Sequence, residues 1–299
     1  MSDLLIVGCG YLGRRIAMRA LREGRCEKVI GTTRSLETAN LLRTLSVDPI
    51  IADVLSPESF ERLSFPKTIV YCVGFDRKSG KPMRTIYVDG LAMFLDKLKT
   101  AQWNGRMVYT SSTGVYGQAD GAWVDEESAA EPLQESGRVC LDAETLLSRM
   151  SAQNGWSAVV VRLAGLYGPG RIVQKNAIAN GEPIVGDPSR WLNLIHVDDA
   201  ARCVLGLSEL GNPRALYVAS DDRPVHRGEY YTALARHLAA PAPTFTPAPA
   251  GSHLAGREAS NKRVRNARIK TDLGISLAYP DVSTGIPASL AEDLGTCLA

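Results

Sequence analysis

Leu4-Leu5-Ile6-Val7 runs directly into Gly8-Cys9-Gly10-Tyr11-Leu12-Gly13, and then into Arg14-Arg15-Ile16-Ala17-Met18-Arg19-Ala20-Leu21. An apolar run of strand length, a G-x-G-x-x-G turn and a helical pattern follow one another without a spare residue. That order suits a dinucleotide pyrophosphate. Gly8 permits a tight turn, Gly10 lets backbone N–H groups approach phosphates, and Gly13 lets helix pack on strand. The helix start then offers unpaired N–H groups and a partial positive charge to the anion. Tyr11 and Leu12, inside the motif, join the expected cofactor contacts.

The second strand reads Lys28-Val29-Ile30-Gly31-Thr32-Thr33-Arg34-Ser35. An NAD site usually ends this strand on Asp or Glu, which holds the adenosine ribose hydroxyls. This chain has no acid there. Arg34 can pair bidentately with a 2′-phosphate, and Thr32, Thr33 and Ser35 can donate to its oxygens. The segment favours NADP(H) over NAD(H), against the plainer reading of Arg34 as a solvated loop residue.

Further strands and helices alternate. Residues 49–54, 68–73, 105–112 and 157–163 read as strands three to six, with helices over about 83–101 and 137–153. Strands apolar on both faces and separated by helices imply a parallel sheet covered on both sides, hence a doubly wound Rossmann sheet with ligands at the strands' carboxyl ends. Asp53 and Val54 end strand three, and Cys72, Val73 and Gly74 follow strand four, so all five are cofactor candidates. Asp53 reads equally as a helix N-cap before Pro57. After residue 165 the rhythm breaks. Residues 165–171 read as turn, 195–201 as a strand edge entering a helix at Ala200 capped by Asp198, and 239–251 as a surface loop. We expect a dinucleotide-binding domain over 1–165, with 190–225 returning to it, and a smaller substrate lobe from 166–189 and 226–299.

Composition fits an enzyme-sized globular chain. Its 299 residues are 45% hydrophobic and 22% charged, with a net charge of +2, which gives no global reason to expect nucleic acid or a membrane surface as partner. Six cysteines lack CxxC or metal-ligand spacing, as reduced cytosolic thiols would. No apolar run approaches the roughly 18 residues of a spanning helix, and the first strand reads as core, not as a signal peptide. A cytoplasmic protein without a metal site is expected. The basic run Lys262–Lys270 lacks interleaved aromatics, so helix solvation or steering of an anionic substrate is preferred to nucleic-acid binding.

Four motifs in order carry a family resemblance: the glycine motif at 8–13, Ser111-Ser112-Thr113-Gly114-Val115-Tyr116-Gly117, Arg162 to Arg171, and His196-Val197-Asp198-Asp199-Ala200-Ala201. Together they resemble the extended short-chain dehydrogenases/reductases of the NAD-dependent epimerase/dehydratase type, over almost the whole chain. The resemblance implies that Ser112 hydrogen-bonds a substrate oxygen, that Ser111 and Tyr167 lie by the substrate, and that Arg171 meets substrate phosphates. Arg171 reads equally as a solvated turn arginine. It implies a mostly structural His196. It also implies a homodimer through the helices at about 83–101 and 137–153, with Ile86, Met93, Phe94, Leu98, Val139, Leu146, Leu147 and Met150 as apolar candidates.

The pattern departs at two places. The glycine motif is G-x-G-x-x-G where typical extended members carry G-x-x-G-x-x-G, and a catalytic pair is missing. Both departures resemble the atypical branch of the family. The family's Tyr-x-x-x-Lys pair performs proton chemistry, the lysine lowering the tyrosine's pKa. Aligned on the following Leu-x-Ala-Glu, the tyrosine position holds Ser136 and the lysine position Cys140. Neither substitutes, since a serine hydroxyl is too weak an acid and a neutral thiol supplies no positive field. Thr113-Gly114 stand where the family's dehydratases carry Asp-Glu, which argues against sugar dehydration. A replacement acid would come from Tyr116, Tyr167, His196 or Cys140, although Tyr116 reads better as a ring packing its loop. The expectation is an NADP(H)-binding oxidoreductase or epimerase-like protein acting on a small or sugar-like carbonyl or alcohol. The alternative is a catalytically silent NADP(H)-binding regulator or sensor.

Overall fold

The computed structural model describes residues 3–61, 63–249 and 259–297. Strand β1 (Leu4–Val7) is buried along its whole length and leads through the glycine turn into helix α1 (Tyr11–Arg22). The helix buries Leu12, Gly13, Ile16, Ala17 and Ala20, the spacing of a single apolar face. Strand β2 (Val29–Thr33), helix α2 (Leu36–Thr44), strand β3 (Asp48–Ile51) and strand β4 (Thr68–Tyr71) follow. A wide turn at Thr85–Asp89 then runs into helix α3 (Gly90–Thr100), followed by strand β5 (Arg106–Ser112) and helix α4 (Glu135–Asn154).

A seven-stranded parallel sheet organises these elements. Its order is Leu216–Ala219, Ser157–Leu163, β5, β4, β1, β2, β3. Chain progression therefore reverses direction between β1 and β4, the topological switch where doubly wound folds bind ligands. Parallel register sets Leu4 opposite both Val29 and Thr68, so the carboxyl ends of β1, β2 and β4 come out together. The last strand, Leu216–Ala219, has no counterpart among the six read from the sequence. Its four residues are too short a run to declare a period.

Two compact units result. The first comprises Met1–Ser111, Arg138–Arg162 and Ala201–Tyr217, and the second Ser112–Gly137, Leu163–Ala200 and Val218–Ala299. The expected division ran at residue 165 with 190–225 returning to the first domain. Here only 201–217 of that segment group with the first unit, and 112–137, 163–165, 190–200 and 218–225 group with the second. Several local expectations also change. Gly165–Tyr167 is not only turn: it forms a strand paired with Leu194–His196, and the turn is left to Gly168–Arg171. The loop 239–249 contains a short strand, Phe245–Thr246, paired with Ile184–Val185; residues 250 and 251 lie outside the described residues. The helix expected to start at Ala200 runs from Val197 to Glu209, so Asp198 lies in its first turn. The His196 ring supplies the cap instead, its Nδ1 accepting from the Asp198 N–H at 3.3 Å. Residues 263–264 form a short strand, with a helix only from Ala267 to Leu273.

Of the apolar candidates on the helices at about 83–101 and 137–153, most lie in or against the first unit's own core. Phe94, Leu98 and Leu147 are buried there, with Leu146 and Met150 packed against them. Ile86 and Val139 are buried as well, while Met93 is 38% exposed. No helix among the described residues is long and apolar enough to cross a membrane.

One polar cluster pins helix to sheet. Arg162 and Glu144 are 7% and 8% exposed, and the guanidinium reaches the carboxylate through Nη2 at 2.7 Å and Nε at 3.1 and 3.2 Å. The Ser111 hydroxyl donates to the same carboxylate. Breaking such a pair on one side leaves a buried charge uncompensated, a cost of about 3–5 kcal/mol. Glu144→Gln is therefore expected to lose about that much stability in urea unfolding. Replacing both partners, Glu144→Leu with Arg162→Met, should recover most of the loss.

Candidate functional site

In the first unit, the glycine turn is built by close backbone approach. Gly8 has φ +86°, and a Cβ there would stand 2.7 Å from Val73 Cα and 2.8 Å from Val73 N. A Cβ on Gly13 would meet the Gly8 carbonyl at 2.8 Å. The Thr32 hydroxyl accepts from Gly8 N at 2.9 Å, and the Cys72 thiol donates to Gly8 O at 3.2 Å. Thr32 is 3% exposed and so pins the loop; it is not available to a phosphate, a correction to its expected role.

Gly10 differs in kind. A Cβ there would meet nothing within 4 Å, and Gly10 is exposed. It starts α1 with no side-chain cap and no acid in the first turn. Uncapped N–H groups beside open space fit a pyrophosphate. Cys9, between the two glycines, stays a neutral thiol because burial pushes its pKa up to about 12.

At the end of β2, Arg34 is about half exposed and pairs with Asp76 at 3.0 Å. Ser35 caps α2, accepting from Thr38 N at 3.0 Å, and Thr33 Oγ1 accepts from Ser35 N at 3.3 Å. Past β3, the Asp53 carboxylate closes a turn onto Leu55 N at 2.9 Å, so Ser56, not Asp53, precedes the short helix at Pro57. Val54 is buried against Gly90, where a Cβ would come within 2.7 Å of it. Val73 and Gly74 continue beyond β4, with Gly74 exposed.

In the second unit, Ser112 begins a tight turn. Its Oγ accepts from Gly114 N at 3.0 Å, which leaves the hydroxyl proton for another acceptor. A Cβ on Gly137 would lie 2.3 Å from the Gly114 carbonyl, so the start of α4 packs directly on this turn. Ser136 is exposed there. Cys140, further along α4 and counted in the first unit, is 5% exposed; burial, reinforced by Glu144, pushes its thiol up to about 12.

The other acid candidates are fully enclosed. Tyr116 is 0% exposed and its hydroxyl donates to the Asp125 carbonyl at 2.7 Å, as a ring packing its loop would. Tyr167 is likewise buried, and desolvation raises its phenol well above the usual tyrosine value. His196 lies edge-on to Tyr167 at 5.3 Å and meets the Tyr279 ring at 3.8 Å, tilted by 36°. Because Nδ1 accepts, the network puts the ring proton on Nε2, which faces Ser289 Oγ at 3.2 Å. Arg171 is exposed in the Gly168–Arg171 turn.

Sequence reasoning did not anticipate the burial of three charged groups in this unit. Asp199 is 1% exposed and accepts from Ala278 N and Tyr279 N at 2.9 and 2.8 Å, tying the start of its helix to a distant loop. Asp221 is 2% exposed, and burial pushes its carboxyl up to about 9. Lys262 is 9% exposed. Lys262 reads as the head of a basic run, but nothing in the local sequence marks its burial or that of Asp221, because burial of a charge is a property of the fold.

This geometry agrees with comparison to known proteins. Residues 4–219 match the NAD dependent epimerase/dehydratase family. The chain is 32% identical to a putative NAD-dependent epimerase/dehydratase from Methylobacillus flagellatus, with TM-score 0.76 over 97% of this chain and 98% of that one. It is 28% identical to Protein YeeZ of Escherichia coli strain K12, covering 94% of this chain and 97% of that protein. It shares the fold of a UDP-glucose 4-epimerase from Thermotoga maritima, at 17% identity and TM-score 0.82 over 99% and 100% of the two chains. The chain belongs to the NAD-dependent epimerase/dehydratase family.

Two glycine substitutions separate fold from ligand. Gly8→Ala forces a Cβ into the Val73 backbone at positive φ and should cost about 1–3 kcal/mol or more of stability. Gly10→Ala meets no protein atom, so its melting temperature should stay within a degree or so of the parent's while dinucleotide affinity falls. A matched loss of stability in both variants would contradict this division.

Proposed function

We propose that this protein is an NADP(H)-dependent oxidoreductase or epimerase-like enzyme that acts on a small or sugar-like carbonyl or alcohol, without the Tyr-x-x-x-Lys pair. The observation that carries the reading is the Ser112 hydroxyl, whose oxygen is held by Gly114 N while its proton stays free to meet a substrate oxygen. A nicotinamide dinucleotide, when bound, supplies hydride exchange. Gly8, Gly10, Tyr11, Leu12 and Gly13 would hold its pyrophosphate. Asp53, Val54, Cys72, Val73 and Gly74 would line its remaining length. Thr33, Arg34 and Ser35 would take the 2′-phosphate. The ion pair of Arg34 with Asp76 is a half-exposed one, worth about 0–1 kcal/mol, so it yields readily to a phosphate.

The proton is the harder part. Cys140 is held neutral, Tyr116 gives its hydroxyl to a carbonyl, and Tyr167 is a buried, weakened acid. His196 has its ring nitrogens engaged. These placements support a mechanism in which Ser112 orients the substrate oxygen and solvent supplies the proton. Tyr167 and Arg171 remain substrate-side candidates by family resemblance, and Ser111 serves Ser112 indirectly by tying β5 to Glu144. The five described free cysteines are consistent with action in a reducing cytoplasm.

Two measurements test the reading. NADPH should bind more tightly than NADH by fluorescence titration, and Arg34→Ala should remove roughly one to two decades of that preference, the worth of a charge-assisted fork. Equal affinities in the unaltered protein would refute the NADP(H) assignment. In a screen of aldehydes, ketones and sugar carbonyls, at least one class should drive NADPH oxidation. Ser112→Ala should cut that turnover by about 10²-fold or more and leave NADPH affinity unchanged. Tight cofactor binding with no turnover anywhere would favour the silent sensor.

A further inference from the structure

Most of the hydroxyls beside Arg34 are already engaged. Thr32 is buried and pins Gly8. The Ser35 hydroxyl accepts from Thr38 N and donates to Thr38 Oγ1, both at 3.0 Å. Thr33 Oγ1 accepts from Ser35 N at 3.3 Å, which leaves its proton for a ligand. The charge of the set therefore rests on Arg34, and a carboxylate already stands against it: Nη2 reaches Asp76 Oδ2 at 3.0 Å.

The position of this pair matters more than its strength. The sheet runs β4, β1, β2, so β1 lies between the two strands that send out Asp76 and Arg34. Arg34 is the first residue past β2, and Asp76 lies in the loop after β4. Strands two places apart in a sheet are separated by roughly 10 Å. At this end the glycine turn leaving β1 fills the interval, with Cys9 N donating to Thr32 O at 2.7 Å and Cys72 N to Val7 O at 2.9 Å. The ion pair thus joins the two flanking loops across the carboxyl end of β1, where α1 presents its uncapped N–H groups.

The backbone holds the carboxylate there. Phe75 N donates to the Tyr87 hydroxyl at 3.0 Å, and Tyr87 sits in the wide turn that opens α3. The Phe75 ring meets the Tyr87 ring edge-on at 6.5 Å. Ser79 N and Ser79 Oγ both donate to Asp76 O, at 3.1 and 2.7 Å. The chain is fixed on both sides of Asp76, while the carboxylate itself stays about half exposed.

A 2′-phosphate and the Asp76 carboxylate use the same donors. A guanidinium edge paired with one anion is not available to the other. A dinucleotide without that phosphate leaves the ion pair undisturbed. We propose that Asp76 is a specificity-determining residue for the dinucleotide: its carboxylate competes with the 2′-phosphate for Arg34 and so holds down the preference for NADP(H) that Arg34 creates. This rests on the NADP(H) reading of the cofactor, and adds to it a residue from the far side of β1.

Isothermal titration of NADP+ and NAD+ into the parent, Asp76→Asn and Asp76→Glu tests this without turnover. Asp76→Asn keeps the shape of the side chain and removes its charge. It should tighten NADP+ about three- to five-fold, the upper worth of a half-exposed ion pair, and leave NAD+ within about two-fold. Asp76→Glu keeps the charge and should hold the ratio of the two affinities within about two-fold of the parent's. In an Arg34→Ala background, Asp76→Asn should also leave the ratio within about two-fold, because no guanidinium remains to compete for. An unchanged ratio in Asp76→Asn would overturn the proposal. So would an equal shift with and without Arg34, which would show plain charge repulsion. A parent that binds the two dinucleotides equally refutes the NADP(H) assignment, while the shift in ratio still decides the role of Asp76. If neither dinucleotide binds, the assignment and the proposal fall together.

Discussion

The contact between Gly8 and the backbone of Cys72–Val73 sets the terms for the first unit. It occurs where β1 and β4 lie side by side and chain progression reverses, so the loops leaving the two strands must cross at van der Waals distance. Only a residue without Cβ, at positive φ, fits there. Once Gly8 is pressed against Val73, the Thr32 hydroxyl and Cys72 thiol complete the bonding of its N–H and C=O. Gly10 is then left facing open space at the head of an uncapped helix. The cradle is thus a consequence of strand order and of one missing side chain.

A different kind of constraint governs the second unit. Its apolar core gathers Tyr167, Ile178, Leu194, Tyr230, Leu234 and Ile286 from segments far apart in sequence. Polar side chains fix the connections between them. Asp199 holds residues 278 and 279, Asn193 holds 262 and 264, and His196 meets Ser289. Each of these groups is satisfied by backbone or by a neutral partner, as buried polar groups must be. Asp221 and Lys262 are the departures: buried charges with their ordinary titration displaced in opposite directions. In an economical fold, such departures mark places where stability has been given up for something else.

Legibility in the sequence followed the range of the interactions. Strands with continuous apolar runs, such as Leu4–Val7 and Ser157–Leu163, emerged from period and flanking turns alone, and the structure places the second at the residues read. Short strands paired only with distant segments, such as Gly165–Tyr167 and Phe245–Thr246, looked like turn and loop because their partners lie outside any local window. The Ser112 turn was recognisable as a motif. That its hydroxyl would be half engaged, and that Tyr116 and Cys140 would be enclosed, depended on what packs around them.

The sequence by itself marked the doubly wound sheet, the glycine motif and the resemblance to the epimerase/dehydratase family, since each is read from short motifs and apolar runs in their order along the chain. Its resemblance to the family also implies that Ser136 and Cys140 stand where a tyrosine and a lysine are usual, a reading made on motif positions alone. Only the tertiary structure decided which polar groups lose their water. Thr32 became a buried pin, His196 a cap, and Lys262 an ammonium facing inward with a serine for company. The reason is physical: hydrophobic period and turn chemistry are encoded residue by residue, whereas desolvation is imposed by segments that meet only when the chain has folded.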